Sequence, residues 1–171
     1  PEANYQAKKT TVESDWSAAS YWYQIAALIP GSRIKLPHLE SPSLQGDAIL
    51  QELFLPMGVQ SNFYNGGLEI RSGGNVAREL YAKDFTGCPD LVQTLAVSLC
   101  ALDVPFRFTG TITLRVKETD RIAALQAELM KVGYVLSAHP RGEWLEWDGT
   151  RSTPESDPLI RTYHDHRMAM A

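Results

Sequence analysis

Lys117, Glu118, Asp120 and Arg121 crowd into Arg115-Val116-Lys117-Glu118-Thr119-Asp120-Arg121, the densest polar run of the chain. Its pattern places it where an extended segment meets the start of a helix. Free backbone N–H groups and the helix dipole already favour an anion at such a junction. Lys117 and Arg121 would add two cations, and Glu118 beside them could exchange a proton. A phosphate or a carboxylate suits that chemistry, although a solvated, capped helix start has the same composition. A second run, Tyr163-His164-Asp165-His166-Arg167-Met168-Ala169-Met170, opens another helix. Its two histidines straddle an aspartate, but an i, i+2 spacing does not put both rings on one helical face, and no Cys or Glu pair completes a ligand set. No metal is therefore expected. Arg167 at a helix start could hold an anion, and a plain cap is the alternative. The third candidate is Cys88-Pro89-Asp90, where Pro89 fits a first helical turn and Asp90 is either a cap or a base.

The elements that must position these residues recur along the chain. Asp15, Asp90 and Asp165 each follow a short extended run, and they stand 75 residues apart. Each is expected to cap a helix. After Asp15 the pattern predicts a helix to Ile29, a strand over 33–39, a helix over 47–57, and a hairpin of 59–64 with 68–71 around Asn65-Gly66-Gly67. After Asp90 it predicts a helix to about Leu102, a long strand over 106–116 and a helix over 120–132, whose Ile122, Leu125, Leu129 and Val132 make one stripe. A closing hairpin of 134–138 with 144–147 follows. Each unit reads βαβαββ, with its first strand ahead of the aspartate. The expected units cover about 8–75 and 76–150, and a third starts at 160–171. Such units bury apolar surface only by packing together, so the fold class is α/β, with helices inside and mixed sheets outside. The three polar runs then fall at one end of a single domain.

Composition narrows the function classes. A net charge of −4 argues against the basic face that nucleic-acid binding needs. No stretch approaches the length of an apolar membrane span, and no signal peptide is evident. Cys88 and Cys100 have no metal or redox spacing, as suits a reducing, cytoplasmic setting. Trp16, Trp22, Trp144 and Trp147 read as packing residues. The start at Pro1 without methionine, and the end at Ala171 inside an apparent helix, suggest a piece of a longer chain.

Five ordered motifs carry a resemblance. Val116-Lys117-Glu118-Thr119-Asp120-Arg121 with Lys131-Val132-Gly133, and the run from Tyr163 to Met170, closely resemble signatures of the EPSP synthases, the 3-phosphoshikimate 1-carboxyvinyltransferases. The run from Val12 to Tyr21, Ser43-Leu44-Gln45-Gly46-Asp47 and Pro89-Asp90 are similar to further family segments in the same order. His164 stands where the family commonly has asparagine, and so does Thr113. The resemblance implies an enolpyruvyl transferase fold of two domains, each of three βαβαββ units, with this chain as most of the C-terminal half. It implies transfer of the carboxyvinyl group of phosphoenolpyruvate to shikimate 3-phosphate. Asp90 would contact the shikimate hydroxyls and act as base, and Glu118 would exchange the methylene proton. Lys117 would bridge both substrates, while Arg121, Arg167 and His166 would hold phosphoenolpyruvate. No cofactor is implied. The Lys-Ser-x-x-x-Arg and Ser-Ser-Gln motifs of the family's other domain do not occur here, so the piece alone is expected to be inactive. The rival readings are a UDP-N-acetylglucosamine carboxyvinyltransferase domain and a non-catalytic anion-binding module of the same fold.

Overall fold

In a computed structural model, which describes Ala7, Lys9 and residues 12–171, Asp15 opens helix α1 (Trp16–Leu28). Its carboxylate accepts the Ser17 N–H at 2.9 Å, satisfying one of the free donors of the first turn. Pro30-Gly31 follows the helix, and Gly31 takes the left-handed φ of 77°. The strand expected just before Asp15 lies largely outside the described residues.

Three antiparallel strands form the first sheet in the order β1 (Arg33–Pro37), β3 (Gly67–Ser72), β2 (Val59–Tyr64). The β2–β3 hairpin pairs Tyr64 with Gly67, and a side chain at Gly67 would collide with the Leu36 carbonyl at 2.4 Å. Between β1 and β2 the expected continuous helix is broken into three. Only α2 (Leu50–Phe54) is α-helical, flanked by 3-10 turns at Gly46–Ile49 and Leu55–Met57. Pro56 has no N–H to continue the ladder, and Gly58 at φ 80° closes the last turn.

The second sheet is mixed, in the order β4 (Tyr81–Asp84), β5 (Phe106–Thr109), β7 (Trp144–Trp147), β6 (Ser137–Ala138). β4 and β5 are parallel, joined by a crossover through α3 (Val92–Ala101), and the remaining pairs are antiparallel. Two expectations are corrected here. The strand predicted over 106–116 ends at Thr109, because Gly110 turns left-handed at φ 70° and packs hard against Thr86; Ile112–Val116 then coils as a 3-10 turn. The strand predicted over 134–138 shrinks to two residues plus an isolated Tyr134–Arg151 bridge.

Helix α4 (Arg121–Lys131) is capped by Asp120, which accepts the Ala123 N–H, and α5 (His166–Met170) by Asp165. Asp90 departs from the expected pattern. It lies inside the 3-10 turn Pro89–Leu91 ahead of α3 and caps nothing, so its carboxylate is free for other partners. α3 packs against α1, α4 and α5 and is buried along most of its length, including Leu95, Ala96 and Leu99. One contiguous core joins it to both sheets, with the Phe106 and Phe108 rings stacked at 4.3 Å and Phe85 at 4.6 Å from Phe108. Each large apolar side chain buried there contributes roughly 1.5–3 kcal/mol. The result is a mixed α/β structure.

Candidate functional site

Arg121, the first residue of α4, is almost wholly buried, which an arginine tolerates only with its charge and donors matched. Its Nε and Nη2 form a two-pronged pair with Asp165 at 2.8 and 3.2 Å. Nη1 donates to Asp90 Oδ1 at 3.0 Å, and Nη2 also donates to Glu118 Oε2 at 2.8 Å. Four of its five N–H donors point at three carboxylates, two of them at Asp165. The planar fork suits this; a lysine has no equivalent geometry.

Asp90 forms the rim of the cluster. Besides Arg121 it meets Lys117 Nζ at 3.3 Å and Arg167 Nη2 at 3.3 Å. Exposure rises outward: the side chain is 0% exposed for Asp165, 2% for Arg121, 11% for Arg167, about a third for Asp90 and Lys117, and 50% for Glu118. The base of the cluster is therefore buried, and its rim is open. Burial alone would push the Asp90 carboxyl up, but the charges of Arg167, Lys117 and Arg121 outweigh it and hold the group below its usual value. Asp165 is lowered for a related reason, with the Arg121 hydrogen bonds and the backbone N–H groups of α5 overcoming burial. Both carboxylates are ionised near neutrality.

Of the six residues singled out by sequence, five meet in this cluster: Asp90, Lys117, Glu118, Arg121 and Arg167. His166 is exposed on α5, and its side chain has no hydrogen bond or ion pair among the described residues. Arg121 is engaged by carboxylates, whereas the sequence suggested a free anion clamp. Arg167 is the better donor: among the described residues its Nε is buried without a partner, and its one side-chain bond is long.

The sequence reading gives no site role to Asp165, which joins the cluster, or to Asp47, which lies near it. Asp165 was read only as a cap, yet it accepts from Arg121 as well as from the N–H groups of Arg167 and Met168, at 2.8 and 3.4 Å. Asp47 accepts from the Ser17 hydroxyl, and burial raises its carboxyl pKa, as does the charge of Asp90 to a lesser degree. Its position in Ser43-Leu44-Gln45-Gly46-Asp47, one of the ordered motifs, was the available signal. Among the described residues no group of three or more His, Cys, Asp or Glu has the arrangement of a metal site. No helix among them is long and apolar enough to cross a membrane.

Residues 1–171 match the family profile described as EPSP synthase (3-phosphoshikimate 1-carboxyvinyltransferase). The chain is 48% identical over 168 residues to a 3-phosphoshikimate 1-carboxyvinyltransferase of Bacteroides fragilis strain YCH46, covering 98% of this chain and 40% of that protein. A namesake from Nostoc punctiforme is 36% identical over 167 residues, covering 98% and 37%. The chain thus spans about 40% of the length of the curated relatives it matches. In three dimensions it resembles the EPSP synthase of Acinetobacter baumannii, with a TM-score of 0.62 over 93% of this chain and 38% of that one. At 23% identity that likeness speaks for the fold alone.

Proposed function

Because the chain belongs to the EPSP synthase family, we propose that it forms one wall of a site transferring the carboxyvinyl group of phosphoenolpyruvate to the 5-hydroxyl of shikimate 3-phosphate. The products are 5-enolpyruvylshikimate 3-phosphate and phosphate. The observation that carries this reading is the convergence of Asp90, Glu118 and Asp165 on one guanidinium, with Lys117 and Arg167 against Asp90. Asp90, ionised and partly exposed, accepts hydrogen bonds from the shikimate hydroxyls and takes the proton of the attacking one. Glu118, at the open rim, delivers a proton to the vinyl methylene on addition and removes one on elimination. Lys117 reaches both substrates. Arg167, with His166 beside it, holds the carboxylate and phosphate of phosphoenolpyruvate, and Arg121 adds its remaining N–H while keeping the carboxylates in place. Catalysis by fixed charges around a tetrahedral intermediate needs no metal or organic cofactor.

The remainder of a longer protein supplies the facing wall, and with it the contacts to the shikimate phosphate. Within this chain, residues 8–75 and 76–150 are two related βαβαββ units, and a third begins near 160. The matching orders α1-β1-α2-β2-β3 and α3-β5-α4-β6-β7, with β4 ahead of the second, support that division. A cytoplasmic setting accords with the two buried free thiols, Cys88 and Cys100.

Titration of the chain with phosphoenolpyruvate and with inorganic phosphate, followed by amide chemical shifts, tests the reading. Roughly millimolar, salt-sensitive binding is expected, with shifts at 90, 117–118 and 167. The chain alone is expected to release no phosphate from the two substrates. The full-length protein is expected to accept shikimate 3-phosphate and to refuse UDP-N-acetylglucosamine. Shifts confined to other faces, or turnover by the chain alone, would overturn the proposal.

A further inference from the structure

Glu128 lies seven residues after Arg121 on α4, so the two side chains leave the helix on nearly the same face, two turns apart. Both hold the irregular segment that runs back along α4 towards α5. Glu155 N–H donates to the Lys131 carbonyl at 2.8 Å, and Lys131 Nζ donates to the Leu159 carbonyl at 2.8 Å. Arg161 N–H and Tyr163 O–H donate to the two Glu128 oxygens at 2.9 and 2.6 Å. Asp165 then reaches Arg121. Helix α4 is a splint, and residues 155–165 are laid on it from its C-terminus to its N-terminus.

Between the last two anchors stand Tyr163 and His164, at φ 56° and 55°. Two adjacent non-glycine residues in the left-handed region persist only where their surroundings over-determine them. The first is held by its own hydroxyl on Glu128; the second leads directly into Asp165, whose N–H closes a turn on the Thr162 carbonyl at 2.9 Å. Glu128 is only 4% exposed, and Lys131 Nζ at 2.6 Å balances its charge. A largely buried ion pair of this kind is often no more stable than apolar side chains of the same volume, so stability alone is a weak account of it.

We propose that Glu128 is a positioning residue. Through Tyr163 it holds the left-handed pair, and so fixes where Asp165 and Arg167 stand against Asp90. Its consequence for ligands rests on the reading of Arg167 as an anion-holding group. The residue itself bonds to none of the cluster's side chains.

Three variants of the 171-residue chain test this: Tyr163→Phe, which deletes one hydroxyl and keeps the ring; Glu128→Ala; and Glu128→Gln, which still offers Tyr163 an acceptor. Loss of the charge-assisted bond in Tyr163→Phe is expected to speed hydrogen exchange at the amides of Arg167 and Met168 about tenfold, with the amides of α3 unchanged. The dissociation constant for inorganic phosphate is expected to rise by a similar factor. Glu128→Ala should match or exceed this, and Glu128→Gln should recover part of it. Unchanged exchange at 167–168, or an equal acceleration through α3, would overturn the proposal. If the parent chain binds no phosphate, the anion-site reading falls, and the exchange pattern still decides whether Glu128 positions α5.

Discussion

Replacing Arg121 by methionine tests the idea that the base of the cluster is a buried ion pair and not a solvated one. Arg121 and Asp165 have side chains 2% and 0% exposed and share two hydrogen bonds, so the substitution strands an ionised carboxylate in the interior. Removing one partner of such a pair costs about 3–5 kcal/mol. The lost contacts to Asp90 and Glu118 add little, since those carboxylates are a third to a half exposed and screened by water. Against a typical domain stability of about 5–15 kcal/mol the loss is large. The pH dependence has a definite sign. In the parent, the Asp165 carboxyl lies below its ordinary 3.8, so its contribution is complete above that value and disappears as pH falls through the folded one. In Arg121→Met, burial is no longer opposed by the guanidinium, so the carboxyl pKa rises. The variant's deficit should thus be greatest near neutrality and narrow as pH falls through that raised pKa. Asp165→Asn keeps a competent N-cap while removing the charge. Urea unfolding of the parent, both single variants and the double variant should give a coupling of about 2–3 kcal/mol at pH 7. A deficit below about 1 kcal/mol, or one indifferent to pH, would refute the reasoning, since that is the range of surface pairs.

In a full-length protein carrying this segment, Glu118→Gln should lower kcat by about a hundredfold or more, while phosphoenolpyruvate affinity stays within about threefold. Steady-state and equilibrium titrations separate the two effects. Asp15→Ala should cost about 1 kcal/mol through loss of the α1 cap, read as a drop in urea midpoint, whereas a change at Asp90 removes no cap.

Much of the fold was legible because local rules and tertiary packing agree. The α4 stripe of Ile122, Leu125 and Leu129 is buried as its spacing implied. Asp15 and Asp165 cap their helices, and Asn65-Gly66-Gly67 turns the hairpin. Failures came where a distant contact decides. Alternation from Phe106 to Val116 continues across Gly110, and the contacts that accompany that glycine's left-handed turn are distant: Thr86 packs against it, and the buried Thr111 donates to the Gly142 carbonyl at 2.7 Å. Asp90 follows Pro89 at the spacing of a cap, but three cations from residues 117, 121 and 167 draw its carboxylate away from the backbone. The candidate residues were visible by type and position. Their division into a buried base and an open rim was not, because burial of Arg121 depends on Asp165, 44 residues away.

The cluster also sets how a charged ligand arrives. Lys117, Arg121 and Arg167 face Asp90, Glu118 and Asp165, three charges of each sign, on a chain of net charge −4. Beyond a Debye length of about 8 Å these fields largely cancel, so an approaching multivalent anion meets no attractive funnel. Encounter should then be unsteered, with an on-rate that depends little on ionic strength. On the proposed reading of the site, attraction begins only at contact, when the newcomer displaces Asp90 from Lys117 and Arg167 and takes over its role as their counter-ion.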